Sequence, residues 1–164
     1  MAFFAMSLPA QDIVGKWRSD ARAEEDGTIT MEMDFKSDKT FLLCIFFNMS
    51  DPESIDMTFR VVVDGTYGEL NGDILPFVFN AENANIIIDK IEIMGEMAKQ
   101  MENNKELETG MKDLIINQLN QSKGEFLKDL PTDGELNIIE LTPTTMKVKM
   151  GDDEEDVLMM TRVP

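Results

Sequence analysis

Three groups of residues in this sequence have types and spacings that could do chemistry. They are a lone cysteine, a late run of carboxylates, and an early glycine–x–tryptophan triplet. Cys44 has neither a second cysteine nor any histidine to work with. No internal disulfide, thiolate cluster or Cys–His nucleophile can be assembled from it. The lack of histidine also removes a Ser–His pair and the imidazole ligands of zinc or iron. Cys44 therefore reads as a small buried hydrophobe. Carboxylates are abundant, and residue type alone leaves a two-carboxylate glycosidase open. Nearly all of them, however, fall where turns or solvated strand faces are expected. Asp152-Asp153-Glu154-Glu155-Asp156 offers oxygen ligands for calcium but lacks the glycine spacing of a dedicated loop, and reads as a solvated hairpin. No glycine-rich phosphate cradle is present. The expectation is a non-catalytic protein without metal or cofactor.

Composition narrows the partners. The chain has 164 residues, 43% of them apolar, enough for one domain with a working core. Asp and Glu number 32 against 15 Lys and Arg, a net charge of −17. A surface of that sign repels nucleic acid and anionic membranes, so neither is an expected partner. No run approaches the ~18 apolar residues of a membrane-spanning helix. The fourteen methionines supply flexible side chains suited to an irregular core or an adaptable binding surface.

The elements that must position these residues are mostly strands. Residues 13–21 form the first, with Ile13, Gly15, Trp17 and Ser19 on one face. After a polar turn at 24–27, residues 28–36 alternate cleanly, Ile29, Met31, Met33 and Phe35 against Thr30, Glu32, Asp34 and Lys36. In residues 40–48 the alternation fails, because Leu42, Cys44 and Phe46 oppose Phe41, Leu43, Ile45 and Phe47. A strand apolar on both faces needs cover on both. Alternation returns with Ile55, Met57, Phe59, Val61 and Val63. Asn71-Gly72 signals a tight hairpin through two residues tolerant of positive φ. Residues 73–80 follow, with Leu75, Phe77 and Phe79 on one side and Pro76 marking a bulge or unpaired stretch. Residues 84–93 favour a strand on β-branching. From about 94 to 130 the period turns helical, with Met94, Met97, Ala98 and Met101, then Leu107, Met111, Leu114, Ile115 and Leu119, as apolar stripes. This block is expected to cover apolar sheet faces outside the barrel, a lid being the alternative. Strands at 135–141, 144–150 and 156–163 complete about nine.

Residues 1–10 stand apart. Phe3-Phe4-Ala5-Met6-Ser7-Leu8 followed by Pro9-Ala10 has the form of a truncated signal-peptide remnant, the alternative being a tail packed on the domain. The remnant reading implies an exported protein, periplasmic or secreted.

A Gly-x-Trp on the first strand, an antiparallel meander and an arginine on the last strand together resemble the lipocalin-like proteins of the calycin superfamily, in particular the exported bacterial type. The matching residues are Gly15, Trp17 and Arg162. The family's middle Thr-Asp-Tyr motif has no counterpart, and the helical block interrupts the meander. The resemblance implies an all-β, antiparallel up-and-down barrel over residues 11–164. It also implies that Trp17 plugs the closed end and that Arg162 lies across it, holding backbone carbonyls. Guanidinium over indole is favourable when water is excluded.

The expected function is the binding of a small apolar ligand inside the barrel. Its inward-facing candidates are Met31, Met33, Phe35, Phe59, Val61, Phe77 and Phe79. The alternative is a structural or interaction module with a filled core, using the helical insertion or a sheet face as its contact surface. Either is compatible with a homo-oligomer.

Overall fold

A computed structural model describes residues 13–124, 133–149 and 157–164. The chain runs β1 (Gly15–Ser19), β2 (Arg22–Glu24), β3 (Gly27–Phe35), β4 (Thr40–Asp51), β5 (Ile55–Tyr67), β6 (Ile74–Phe79), β7 (Asn85–Ile93), α1 (Gly95–Met101), α2 (Lys105–Gln121), β8 (Asp133–Leu141), β9 (Thr145–Lys149) and β10 (Val157–Val163). All described pairings are antiparallel. Because β1 pairs with both β10 and β3, eight strands close a ring in the order β1-β10-β9-β8-β6-β5-β4-β3. The other two, β2 and β7, extend one side of the barrel. β2 continues the line of β1 along β3. β7 takes over from β6 along β5: Tyr67 to Gly65 pair with β6, and Val62 to Ile55 with β7. The all-β barrel with a helical insertion is thus the architecture expected. Its tenth strand arises because the first run breaks after Ser19. Residues 1–10 and the acidic run at 152–156 lie outside the described residues.

The closed end is built around Trp17, which is wholly buried. Its indole Nε1 donates to Ile13 O at 2.8 Å. The Arg162 guanidinium lies 4.2 Å from the indole centroid. Arg162 Nη1 donates to Val14 O and Nε to Pro143 O, both at 2.7 Å. One side chain therefore joins β1, β10 and the β8–β9 turn while stacking on the buried ring. Gly15 is required here twice over: its φ is +134°, and a Cβ would stand 2.7 Å from Arg162 Nη1. Behind the indole, Phe35, Phe41, Tyr67, Leu75, Phe77, Met146 and Met160 fill the barrel. Tyr67 meets Phe35 edge-on at 5.2 Å and its hydroxyl donates to Lys36 O, anchoring the β3–β4 turn.

Three local expectations are corrected. The hairpin after β5 places Gly72 and Asp73, not Asn71 and Gly72, at its centre, because Asn71 bridges Ile74, and only Gly72 has positive φ. Pro76 makes no bulge: it stays in register opposite Glu135. On its other side it sits just past the β5–β6 pairing, where its oxygen accepts from Gly68 N and its missing N–H breaks no ladder. On the outward apolar face of β4, Cys44 and Phe46 are covered among the described residues by long side chains, while Leu42 stays 38% exposed. Glu32 stands opposite Cys44 and is held by Arg18 at 2.6 Å and Lys16 at 3.3 Å. Arg18 also lies 5.6 Å over the Phe46 ring. Their aliphatic stems do the covering. Cys44 is buried, and that burial pushes its thiol pKa up.

Replacing Arg162 with Ala should remove two charge-assisted hydrogen bonds and the indole contact, lowering unfolding free energy by about 2–4 kcal/mol in urea titrations. Arg162→Lys should recover less than half of this, since one ammonium cannot span both carbonyls. Full stability in the alanine variant would show that the closed end does not depend on this residue.

Candidate functional site: an apolar cleft at the mouth of the barrel

The opposite end of the barrel is wider, because β3, β4, β5 and β7 run on past the closed ring. The inward face of this extension carries a second cluster: Met57, Phe59, Val61, Val63, Ala84 and Ile86, with Phe47, Met49, Ile88 and Ile91 packed against it. α2 lies over this face, reaching it through Ile115 and Leu119. The helical block thus covers the inner face of the sheet at the mouth, not the barrel exterior. The reason is that the inner face there has no opposing wall, whereas the outer face is served by Arg18, Lys16 and Glu32. The block comprises α1 and α2, and residues 125–130 of the expected range lie outside the described residues.

The sequence sets α2 in place from both ends of α1. Gly95 has φ +64°, and a Cβ on it would meet Glu53 O at 2.2 Å, so only glycine lets α1 start against the β4–β5 turn. Met94 N donates to Ser54 O at 2.9 Å, and Met101 at the far end of α1 is buried. After Glu102 and Asn103, the Asn104 side chain caps α2 by accepting from Leu107 N at 3.1 Å. Glu106 and Glu108 suit the first turn, and Glu108 pairs with Lys112 one turn on at 2.6 Å. Yet no residue of α2 is fully buried, and Leu107 and Leu114 stay 47% and 65% exposed. The helix rests on the mouth through one narrow stripe.

Between α2 and the strands lies a cleft of ≈ 390 Å³, lined by Phe47, Met49, Met57, Phe59, Ile115, Gln118, Leu119 and Ser122. Phe47 and Phe59 stack at 4.7 Å and 7°, forming a flat aromatic wall. Among the described residues the lining is apolar except for Gln118 and Ser122, and holds no ionisable side chain. A second cleft of ≈ 300 Å³ shares Phe47 and Met49 and is bounded beyond them by Glu24, Glu25 and Asp26 of the β2–β3 hairpin. A larger groove of ≈ 590 Å³ runs along β4, β5 and β6 near the other end, where Lys36, Asp64, Thr66 and Asn80 set charged and polar groups among Phe41, Leu42, Val78 and Phe79. The mouth cleft lies between a helix and an apolar wall and holds fewer polar groups than the groove, features shared with small-molecule sites.

The residues chosen from the sequence divide between the two ends. Met33, Phe35 and Phe77 are packed in the closed core, where Phe35 is only 1% exposed. Met31 packs against that core from nearer the mouth, and Phe79 touches both clusters. Phe59 lines the cleft and Val61 lies directly behind it. Gly15, Trp17 and Arg162 meet at the closed end, far along the strands from the cleft. Sequence reasoning did not single out Phe47, Met49, Met57, Ile115 or Leu119 for the site. The usable signal was the overlap of two patterns: inward strand positions near the 51–54 turn, and one stripe of an amphipathic helix.

Compared with known protein families, with curated protein sequences and with solved structures, the chain matches none. Among the described residues no helix is long and apolar enough to cross a membrane.

Two outcomes are expected from the rim. Gly95→Ala should cost at least about 1–2 kcal/mol in urea unfolding, the positive φ alone accounting for that much. A neutral result would mean that the block is not seated by Gly95. At the β4–β5 turn, the Asp51 carboxylate accepts from Ser54 Oγ at 2.5 Å and Glu53 N at 2.9 Å, and these bonds, Ser54's first, lower its pKa. A lowered carboxylate pKa stabilises the turn above the ordinary value of 3.8 and loses that contribution as pH falls through the folded value. The Glu53 amide resonance should therefore titrate with a midpoint below 3.8. A midpoint at or above it would contradict the arrangement.

Proposed function

We propose that this chain is an exported, lipocalin-like binding protein that holds a small apolar ligand at the mouth of its barrel, under α2. The observation that carries the reading is the cleft between α2 and the Phe47–Phe59 wall, which lies beside the packed core at the closed end. A lightly seated helix gives the ligand a way in, and methionines at 49 and 57 can adjust to its shape. Calycin kinship is supported by the antiparallel eight-stranded ring and by Arg162 stacked on Trp17. Export is supported by the apolar run at 3–8 before Pro9-Ala10. One observation favours a second reading, contact with another protein through the helical block: Leu107 and Leu114 stay exposed on α2.

The neutral dye N-phenyl-1-naphthylamine, titrated into the full chain, should brighten and saturate near one per chain. Leu119→Glu, on a half-exposed helix position, should weaken it roughly tenfold or more by charging the cleft. Absence of saturable uptake, with a stable dimer in sedimentation that Leu114→Glu dissociates, would replace this reading with the second.

A further inference from the structure

We infer that the ligand is a cationic amphiphile, an apolar chain or ring system carrying an amine or quaternary ammonium head; this rests on the binding reading above. The apolar cleft is not isolated. Phe47 and Met49 form a wall common to it and to the adjoining cleft, whose far side is Glu24, Glu25 and Asp26. That hairpin is fixed against β4, because Ser50 N donates to Asp26 O at 3.2 Å. Arg22 reaches Glu24 at 3.4 Å, while Glu25 and Asp26 have no ion pair among the described residues.

No lysine or arginine lines either cleft among the described residues. On the opposite side, the apolar cleft is bordered by Gln118 and Ser122 at the C-terminal end of α2. α2 carries no basic residue in its last turn, and its Gln118 and Asn120 carbonyls accept from Ser122 N. Lys123, just past the cap, is the nearest cation along the chain. A ligand lying on the Phe47–Phe59 wall therefore has carboxylates beyond one edge and the neutral Gln118 and Ser122 at the other.

The hairpin carboxylates favour a positive head and oppose a carboxylate. The aromatic wall adds to the preference, since a ring face attracts cations. The net charge of −17 acts in the same direction at long range. A fatty acid would bring its negative group to the part of the molecule least suited to receive it. A cationic amphiphile instead places its apolar body in the apolar cleft and its head by the β2–β3 hairpin.

The test compares three probes with the same twelve-carbon chain, each below its micellar concentration. They are dodecyltrimethylammonium, dodecanol and dodecanoate, measured by isothermal titration and by displacement of N-phenyl-1-naphthylamine. The expected order is cation first, neutral next and anion last, with the cation roughly three- to tenfold tighter than the alcohol at low salt. The gap should narrow in high salt. The triple variant Glu24→Gln, Glu25→Gln, Asp26→Asn should erase most of the gap while leaving dodecanol affinity unchanged.

Equal affinity for the three probes, or tighter binding of dodecanoate, overturns the inference and leaves the apolar-ligand reading standing. A cation preference that survives in the triple variant also overturns it, since the preference then comes from overall charge and not from the hairpin. Failure of all three probes and of the dye removes both readings together.

Discussion

The stacking of Arg162 on Trp17 is the interaction on which the rest of this barrel depends. It does what neither backbone pairing nor apolar burial does alone. The guanidinium reaches Val14 O and Pro143 O from a position on β10 directly opposite Trp17. Closing the ring requires β1 to serve two neighbours, β10 and β3. Arg162 makes one of those seams rigid at the point where the indole fills the end. Gly15 belongs to the same unit, since its missing side chain is the space the guanidinium occupies. A structure sealed here can leave its other end wide without losing its shape.

The wide end follows from the unequal lengths of the strands. β6 has 6 residues and β5 has 13, so β5 cannot be matched along its length by that neighbour alone on its far side. It pairs with β6 near the closed end and with β7 beyond. The extension bears inward apolar side chains with no facing wall, and α2 is the chain's answer to that exposed face. The answer is partial. A helix without a fully buried residue leaves a cleft rather than a core. Fold and site are thus two outcomes of one geometric mismatch.

Much of this was legible in the sequence, and the limits have physical causes. Period-two alternation at 28–36 and 55–63 located β3 and β5 and their inward faces, because one side of each strand meets apolar neighbours and the other meets water. The Gly15, Trp17 and Arg162 trio was readable from residue type. Alternation could not say what covers the outer face of β4, since an apolar face is silenced equally by a helix or by the stems of Arg18 and Lys16. Nor could the stripe on α2 reveal which sheet face it meets, because amphipathicity fixes a side of the helix and not its partner. The cleft residues fell into that gap. Phe47 and Met57 look like any other inward strand positions until the location of α2 is known. The hairpin at Asn71-Gly72 slipped by one position because two turn types use glycine at neighbouring places.

The seam between β1 and β10 has a kinetic consequence. Lys16 pairs with Val163, so the ring is completed by residues almost the whole chain apart. Contacts so distant along the backbone form slowly, because the intervening loop must be ordered before they contribute. During folding, the meander from β3 to β7 can assemble by local hairpins while the indole at 17 still lacks its arginine. The barrel then shuts only when β10 docks on β1, and until that moment its interior is open to chaperones and to other unfolded chains.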